Sequence, residues 1–441
     1  MSIPSWALAH KQKNTDVREV RGNYYLYSTT SKWCPEKKRT KKVTLAYLGT
    51  ISEAHGFRPA GSSPRGRPRK PKPAEASFND TFEKIEDPRC DRKKMYSVSE
   101  IFLVALCAII CGANGWKDME DYGKAKCAYL RQFFDFTHGT PSDDTFRRFF
   151  RAIDPSSFQN LFREWVGTLA KKVDASVIAI DGKASRHSFD GDEKMLHMVN
   201  AFASDARIVL GQEKVSEKSN EITAIPKLLE WLDIKGSTVT IDAMGCQYKI
   251  AEQIVDKKGE YIFSLKGNQS GLVEEVQSYF TSPRIKKDNT ATDHDKGHGR
   301  IETRKCTVIS EISGLKSRCP QWKTLQSIVQ IESTRQIRDK VTVETRYYVS
   351  SSTLEASDML KKIRSHWGIE NSLHWILDMS FGEDASRIRK ENAPQNMAIL
   401  RQIALNLMQN AKQERQSLEA MRRVCGWDNG ALDNVILKPP S

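Results

Sequence analysis

The sequence lacks several features that define common protein classes. Its longest apolar run, residues 101–113, is too short to cross a bilayer as a helix. Its N-terminus has no charged segment followed by an apolar core, so we expect no signal peptide. The nine cysteines form no CxxC pair, which favours reduced thiols in the cytoplasm over a disulfide framework. Because no GxxxxGKS or GxxxxGKT loop is present, a nucleotide cofactor is not expected. The short apolar run gives no reason to expect a membrane partner.

The positive charge of the chain is concentrated at one end. The 441 residues carry a net charge of +14, and residues 1–73 alone hold 16 Lys and Arg against 4 Asp and Glu. The rest of the chain is nearly balanced, with 53 basic and 51 acidic residues. Such an asymmetry predicts a polyanionic partner, and nucleic acid is the usual one. A tail that only increases solubility is the alternative interpretation.

A basic linker contains a short motif of its own. Residues 59–75 are mainly Pro, Gly, Ser and basic residues, and within them PRGRPRK at 64–70 resembles an AT-hook. Gly66 and Pro68 favour an extended, narrow chain, which lets the first two arginines lie along the narrow minor groove of A-tract DNA. The candidate DNA contacts are Arg65, Arg67, Arg69 and Lys70. A plain basic linker or a localisation tract is the alternative.

The predicted secondary structure changes along the chain. Residues 1–58 indicate a small basic β-rich module, and residues 76–172 indicate a helical segment that is either a DNA-binding unit or a bare scaffold. From 173 to 281 strands alternate with helices, which predicts an α/β fold with a mixed sheet. Residues 282–345 predict a β-rich insertion, and helices return over 346–441.

Two apolar stretches each end in an aspartate. VIAIDGK at 177–183 contains Asp181, and TVTIDAMG at 238–245 contains Asp242. A buried, unpaired carboxylate is costly, and ligands bind at the carboxyl ends of such strands. If the two strands are neighbours, the two carboxylates repel each other unless a cation lies between them. Hard oxygen ligands suit Mg²⁺ or Mn²⁺, so we predict a divalent metal site.

A third acid is expected on the helix predicted over residues 354–378. Glu370 shares a face of that helix with His366 and His374. Spacing alone leaves three rivals for the role, namely Asp378, Glu383 and Asp384. His294 and His298, four residues apart, leave a zinc site as an alternative, although no thiolate pair accompanies them.

Several longer segments carry a family resemblance. They are IAIDGKASRHSFD, TIDAMGCQ, SLKGNQ, KGHGRIETR and HWGIENSLHWILDMSFGEDASRIRK. Through them, residues 76–412 resemble DDE transposases of bacterial insertion sequences, close to the H-repeat-associated type. The resemblance implies an RNase H-like catalytic core whose metal-binding acids match Asp181, Asp242 and Glu370. Where the wider group carries Tyr, Arg and Lys around the glutamate, this chain holds Ile363, His366 and Leu377.

The resemblance implies phosphoryl transfer on double-stranded DNA. Two metal ions would support strand cleavage and strand transfer at the element ends, without a covalent protein–DNA intermediate. It further implies a homodimer that pairs two ends, in the cytoplasm and associated with the nucleoid. The alternatives are an inactive DNA-binding protein derived from a transposase and a structure-specific nuclease on the same fold.

The same resemblance suggests DNA contacts within the catalytic region. Lys266 would face the phosphate backbone, and Asn268 and Gln269 would contact bases or sugars, unless SLKGNQ is an ordinary turn. The remaining candidates are Arg300, Arg304 and His366. Solvated charges on an exposed strand pair are an equally good interpretation of the two arginines.

Overall fold

The structure is a computed structural model that describes most of the chain. The described residues are 3–20, 23–34, 39–53, 56–59, 82, 84–89, 94–170, 175–189, 195–216, 220–287, 289–297, 299–413 and 416–438. The chain divides into two units, residues 1–72 and 73–441. The AT-hook-like motif at 64–70 and His298 lie outside the described residues.

The first unit is built on a four-stranded antiparallel sheet in the order β1-β2-β3-β4. Its elements are helix α1 (Ser5–Leu8) and strands β1 (Thr15–Val20), β2 (Asn23–Cys34), β3 (Arg39–Ser52) and β4 (Gly56–Pro59). Val17 and Leu26 are directly paired across β1 and β2, and both are buried together with Ala7 and Ile51. Alternation along the strands therefore gives this small unit a core of its own.

The second unit contains a nine-stranded sheet in the order β10-β11-β12-β13-β9-β8-β5-β6-β7. Its strands are β5 (Val177–Ala184), β6 (His197–Ala203), β7 (Ile208–Lys214), β8 (Thr238–Ile241), β9 (Glu260–Leu265), β10 (Thr290–Gly297), β11 (Arg300–Ile309), β12 (Ser327–Ile337) and β13 (Lys340–Ser350). Strand β8 runs parallel to β5 and to β9, and the other pairs are antiparallel. The predicted mixed α/β fold is thereby confirmed.

Helices surround this sheet. They are α2 (Val98–Ile110), α3 (Trp116–Leu130), α4 (Asp143–Ala152), α5 (Pro155–Ala170), α6 (Glu221–Trp231), α7 (Tyr248–Asp256), α8 (Ser270–Thr281), α9 (Ser313–Arg318), α10 (Ala356–His366), α11 (Trp375–Met379), α12 (Ala393–Ala411), α13 (Leu418–Trp427) and α14 (Asn429–Ile436). A π-helical turn, Ile369–His374, lies between α10 and α11. Within the described ranges, no helix has both the length and the apolar character needed to cross a membrane.

The central strands are covered on both faces. All four residues of β8, and residues 177–180 of β5, are buried, as expected for parallel strands between layers of helices. Helices α6 and α7 pack on the sheet near β7 and β9, and α10 packs against β5 and β8. The sheet therefore holds the carboxyl ends of β5 and β8 at fixed, adjacent positions.

The helices that precede the nine-stranded sheet in the sequence share a hydrophobic core with it. Helices α2 to α5 belong to the same hydrophobic cluster as β5 to β9 and α12. The buried Asn396 amide of α12 donates hydrogen bonds to the carbonyls of Phe150 (2.8 Å) and Ile153 (3.1 Å), and the Arg422 guanidinium donates to that of Ile109 (2.7 Å). The chain from α2 to α14 is thus tied together by burial and by buried hydrogen bonds.

Four antiparallel strands extend the sheet beyond β9. Strand β13 pairs with β9, with Val349 opposite Phe263, and β12, β11 and β10 follow it outward. The segment that was predicted to be β-rich, residues 282–345, is therefore continuous with the main sheet through a strand that runs on to Ser350. This pairing brings β13 beside the carboxyl end of β9.

A glycine on β7 makes room for a tryptophan of α6, which gives the first prediction. A Cβ on Gly211 would lie 1.9 Å from the Trp231 ring, and the Arg163 guanidinium lies over that ring at 4.2 Å from its centre. Gly211→Ala should therefore lower the free energy of unfolding by about 1–3 kcal/mol, the usual cost of overpacking. Denaturant unfolding measures it, with Gly271→Ala as the control because a Cβ there meets nothing within 4 Å. Equal stability of the two variants would contradict the packing.

Candidate active site

The aspartates of the two apolar stretches are neighbours in the structure. Strands β5 and β8 are parallel, and Ile180 pairs with Ile241. Asp181 and Asp242 are the next residues on the two chains, and adjacent strands lie about 4.8 Å apart. The sheet therefore places both carboxylates at the same edge.

Backbone amides are the hydrogen-bond donors to the two carboxylates. The Gly182 N–H donates to Asp181 at 2.9 Å, and the N–H groups of Met244 and Gly245 donate to Asp242 at 3.0 and 3.3 Å. Among the described residues no Lys or Arg forms an ion pair with either aspartate. His374 Nδ1 lies 3.7 Å from Asp181 Oδ2, but burial lowers the pKa of His374 to about 3, so this imidazole is neutral.

The pair consequently carries negative charge without an equal counter-charge. Burial, followed by the charge of Asp242, raises the pKa of Asp181 to about 7. Burial is also the largest cause that raises the pKa of Asp242, and the nearby Lys266 acts weakly in the opposite direction. Buried like charges of this kind favour a bound cation. The donor set of carboxylate oxygens suits a hard divalent ion.

Glu370 faces the same place from the helical side. It lies on the π-helical turn and lines a cleft of about 140 Å³ together with Asp181 and Asp242. The other residues of this cleft include Thr240, Lys266, Arg346, Tyr348, His366 and Trp367. A π-helical turn changes the direction of the side chains that follow it, and such turns are frequent at functional sites. All three acids expected from the sequence therefore line one cleft.

The three rival acids have a different partner. Asp378, Glu383 and Asp384 surround the buried Lys183 Nζ at 2.5, 3.3 and 3.5 Å. The Lys183 side chain is only 7% exposed, and these acids raise its pKa against the effect of burial. Because one lysine balances much of their charge, these acids are poorly suited to hold a metal ion. The geometry therefore favours Glu370 as the third acid of the cleft.

The residues of SLKGNQ mainly support the loop after β8. The Asn268 amide donates to the Ala243 carbonyl at 2.6 Å, and the Gln269 amide donates to the Cys246 carbonyl at 3.0 Å. Lys266 lines the cleft itself. In this structure the two amides therefore brace the loop that follows Asp242, and their contact with DNA stays a prediction.

The remaining candidates for DNA contact lie in two places. His366 lines the cleft, and its Nδ1 lies 2.9 Å from the Thr240 hydroxyl. Burial lowers the pKa of His366 to about 4, so it brings no charge. Arg300 and Arg304 lie on β11 and both form ion pairs with Glu302. Neither arginine is among the residues that line the cleft.

The sequence analysis missed one basic residue of the cleft. Arg346 on β13 lies with its guanidinium 4.8 Å from the centre of the Trp367 ring and donates two hydrogen bonds to Glu344, at 2.8 and 3.0 Å. The predicted insertion ends at residue 345, one residue before Arg346, and no role was predicted for Arg346. A signal was available in the run of Val, Thr and Tyr residues around it, which predicts a strand that must pair somewhere in the sheet.

Comparison with known proteins identifies the family of the chain. The sequence matches the family described as "Transposase DDE domain" over residues 172–407 and the one described as "DDE_Tnp_1-associated" over residues 79–166. The chain therefore belongs to the DDE transposase family and is a DNA transposase. The resemblance inferred from the sequence is thereby confirmed.

Two curated relatives show how far the likeness extends. "Putative transposase YncI" of Escherichia coli O157:H7 is 38% identical over 82% of this chain and 94% of its own length. "H repeat-associated putative transposase YhhI" of Escherichia coli K12 is 38% identical over 80% of this chain and 95% of its own. Among solved structures, a piggyBac transposase synaptic complex covers 83% of this chain and 78% of its own, at 11% identity and a TM-score of 0.39.

The buried lysine beside the site gives a second prediction. Lys183→Met removes the cation that three acids share, and breaking a buried ion pair from one side costs about 3–5 kcal/mol of unfolding free energy. The matched control is Lys361→Met, because Lys361 forms an exposed pair with Asp358, and such pairs contribute about 1 kcal/mol or less. Urea unfolding at neutral pH measures both. A Lys183→Met variant as stable as the control would show that the three acids do not depend on this lysine.

Proposed function

We propose that the protein catalyses divalent-metal-dependent strand cleavage and strand transfer at the ends of an insertion sequence. The observation that carries this proposal is the single cleft lined by Asp181, Asp242 and Glu370. Enzymes of the DDE family generally use divalent metal ions. The three acids would hold Mg²⁺ or Mn²⁺, and such ions polarise a phosphoryl oxygen and lower the pKa of bound water.

The arrangement of the acids is compatible with Mg²⁺ bound together with its substrate. Within the part of the chain that the structure describes, no three His, Cys, Asp or Glu side chains form a group that could hold a metal ion by themselves. Mg²⁺ is usually held by one or two carboxylates together with substrate phosphates and water, not by an all-protein cage. The adjacent Asp181 and Asp242 supply two such carboxylates, and Glu370 supplies one from the opposite wall.

Two basic residues of the cleft are suited to grip the phosphate. Lys266 lies at the end of β9, and Arg346 lies on the neighbouring strand β13. The partner of Arg346, Glu344, is 60% exposed, so the ion pair between them is weak and can be exchanged for a DNA phosphate. A guanidinium binds phosphate with two parallel hydrogen bonds, and the Trp367 ring holds it flat. In our proposal Arg346 positions the scissile phosphate over the three acids.

The attacking groups in this proposal are water and then a DNA 3′-hydroxyl, not a protein side chain. Tyr348 lines the cleft, but burial raises the pKa of its phenol, which disfavours the nucleophilic phenolate. The other two hydroxyls of the cleft are Thr240, which is buried next to His366, and Ser264 on β9. The proposed chemistry therefore relies on the three carboxylates and on the metal ions that they would bind.

DNA binding outside the cleft is assigned to the basic end of the chain. The module at 1–58, the linker at 59–75 and the helical segment at 76–172 would hold the terminal repeats, with Arg300 and Arg304 as further contacts. A homodimer would pair the two ends in the cytoplasm, near the nucleoid. The charge of residues 1–73, with 16 basic against 4 acidic residues, supports this assignment.

We further propose that β5 to β9 form an RNase H-like core. The first two acids lie on adjacent parallel strands, and the third lies on a helix that follows an extra run of antiparallel strands. This is the order of elements that the family resemblance predicts, with β10 to β13 as the insertion.

The proposal predicts that one aspartate is essential for both reactions. Asp242→Asn should slow strand cleavage and strand transfer by ~10³-fold or more, because bound metal supplies several kcal/mol and each 1.4 kcal/mol is a factor of ten. The assay uses Mg²⁺ and a plasmid that carries the element's inverted repeats, identified from the sequence flanking the gene. DNA binding should stay within a few-fold of the wild-type value.

The same assay includes a control variant and distinguishes the two alternative functions. Asp256→Asn changes an exposed aspartate at the end of α7 and should leave both reactions unchanged. Cleavage by the wild-type protein without joined product would identify a nuclease. Binding without cleavage would identify an inactive DNA-binding protein. An Asp242→Asn variant as active as the wild type would contradict the assigned site.

The linker predicts a preference for AT-rich DNA. Replacing Arg65, Arg67, Arg69 and Lys70 with Ala should weaken binding to AT-rich duplexes more than to GC-rich ones, because arginines bind best in a narrow minor groove. It should also reduce the slope of log affinity against log salt by up to about 0.9 for each lost phosphate contact. Fluorescence anisotropy at several salt concentrations measures both effects. A retained AT preference would contradict the AT-hook assignment.

A further inference from the structure

A fourth carboxylate contacts the strand that carries Asp181. Glu221 is the first residue of α6, and its side chain is 17% exposed. A Cβ built on Gly182 would lie 1.9 Å from Glu221 Oε1, so the carboxylate lies directly over the α carbon of Gly182. Gly182 follows Asp181 on β5. The glutamate therefore reaches the strand that carries the first catalytic acid, at the position next to that acid.

A histidine holds this carboxylate in place. His197 Nε2 lies 2.9 Å from Glu221 Oε1. His197 begins β6, which pairs with β5 through Ala184 opposite His197. The same Cβ on Gly182 would approach His197 Nε2 to 2.7 Å, so both side chains occupy the space that a glycine leaves open. Within the described ranges no Lys or Arg forms an ion pair with Glu221.

The charge of Glu221 acts on both aspartates. Its carboxylate lies over Gly182, the residue after Asp181 on β5, and Asp242 follows the adjacent parallel strand β8. Burial is the main cause that raises the pKa of both aspartates, and the charge of Glu221 adds to it. An additional negative charge near the two aspartates favours a divalent cation that they bind, because attraction grows with the product of the charges. The glutamate is thus placed to strengthen ion binding without being needed as a ligand.

We propose that Glu221 is a positioning residue of the divalent-ion centre, a fourth carboxylate that His197 and the open space at Gly182 hold against the strand that carries Asp181. This inference rests on the proposed metal-dependent function. Glu221 acts through the field that it adds to the site and through its contact with the strand that carries Asp181. A purely structural role at the start of α6 would affect helix stability and leave ion affinity unchanged.

The test is the affinity of the full-length protein for Mn²⁺, followed by calorimetry or electron paramagnetic resonance. Glu221→Gln keeps the shape of the side chain and removes its charge. We expect Mn²⁺ to bind about tenfold more weakly, as when residues that support metal ligands are changed. The control is Glu230→Gln, which makes the same change at the exposed far end of α6 and should leave the affinity as in the wild type.

A second substitution tests the contact itself. The added methyl group of Gly182→Ala would displace the Glu221 carboxylate, so this variant should lose Mn²⁺ affinity to a similar extent. The double variant Gly182→Ala/Glu221→Gln should bind Mn²⁺ no more weakly than the weaker single variant, because both changes remove one interaction. Additive losses would mean that Gly182→Ala disturbs Asp181 by another route, which overturns the proposed contact.

The outcomes separate this inference from the function on which it rests. Wild-type Mn²⁺ affinity in a folded Glu221→Gln protein overturns the role of Glu221 and leaves the assignment of Asp181, Asp242 and Glu370 intact. A wild-type protein that binds no Mn²⁺, with or without DNA, overturns the metal-dependent function itself.

Discussion

The structure depends on two like charges held side by side at the ends of adjacent buried strands. Asp181 and Asp242 follow paired isoleucines of β5 and β8, so the sheet fixes their separation and does not let them relax apart. Their hydrogen bonds come from backbone N–H groups, and burial with mutual repulsion raises the pKa of Asp181 to about 7. Such a pair is unfavourable by itself. A bound divalent cation would make the pair favourable, so the proposed chemistry would also stabilise the fold at this edge of the sheet.

The surrounding residues preserve this unbalanced charge. Lys183, the basic residue nearest along β5, forms ion pairs with Asp378, Glu383 and Asp384 and so does not neutralise Asp181 and Asp242. The two histidines of the helix that carries Glu370 are neutral because burial lowers the pKa of each. Lys266 and Arg346 line the cleft. In the proposed mechanism the site is therefore negative where metal ions would bind and positive where a phosphate would enter.

Local patterns in the sequence were sufficient to predict part of this site. An aspartate that ends a buried apolar stretch predicts an acid at a strand end, and two such stretches predicted Asp181 and Asp242. The sequence could not distinguish Glu370 from Asp378, Glu383 and Asp384, because the distinction is made by Lys183, about two hundred residues away along the chain. Nor does any local pattern show the π-helical turn that carries Glu370.

The residues that were not predicted from the sequence are those that reach the site through contacts between segments far apart in the chain. Arg346 reaches the cleft only because β13 pairs with β9, and the sequence does not state which strands pair. Glu221 meets the glycine after Asp181 only in the folded chain, because the start of α6 lies about forty residues beyond that glycine in the sequence. The large mixed sheet was predictable from alternating strands and helices. The shared core of α2 to α5 with that sheet was not, because it rests on buried contacts between the two ends of the second unit.

The most direct test of the central claim counts bound ions in the presence of DNA. The full-length protein is mixed with uncleavable DNA that carries a terminal repeat, and Mn²⁺ uptake is compared with that of a variant in which Asp181, Asp242 and Glu370 are replaced by Asn, Asn and Gln. We expect saturable uptake by the wild type and little by the variant. Equal uptake by the two proteins would contradict the account.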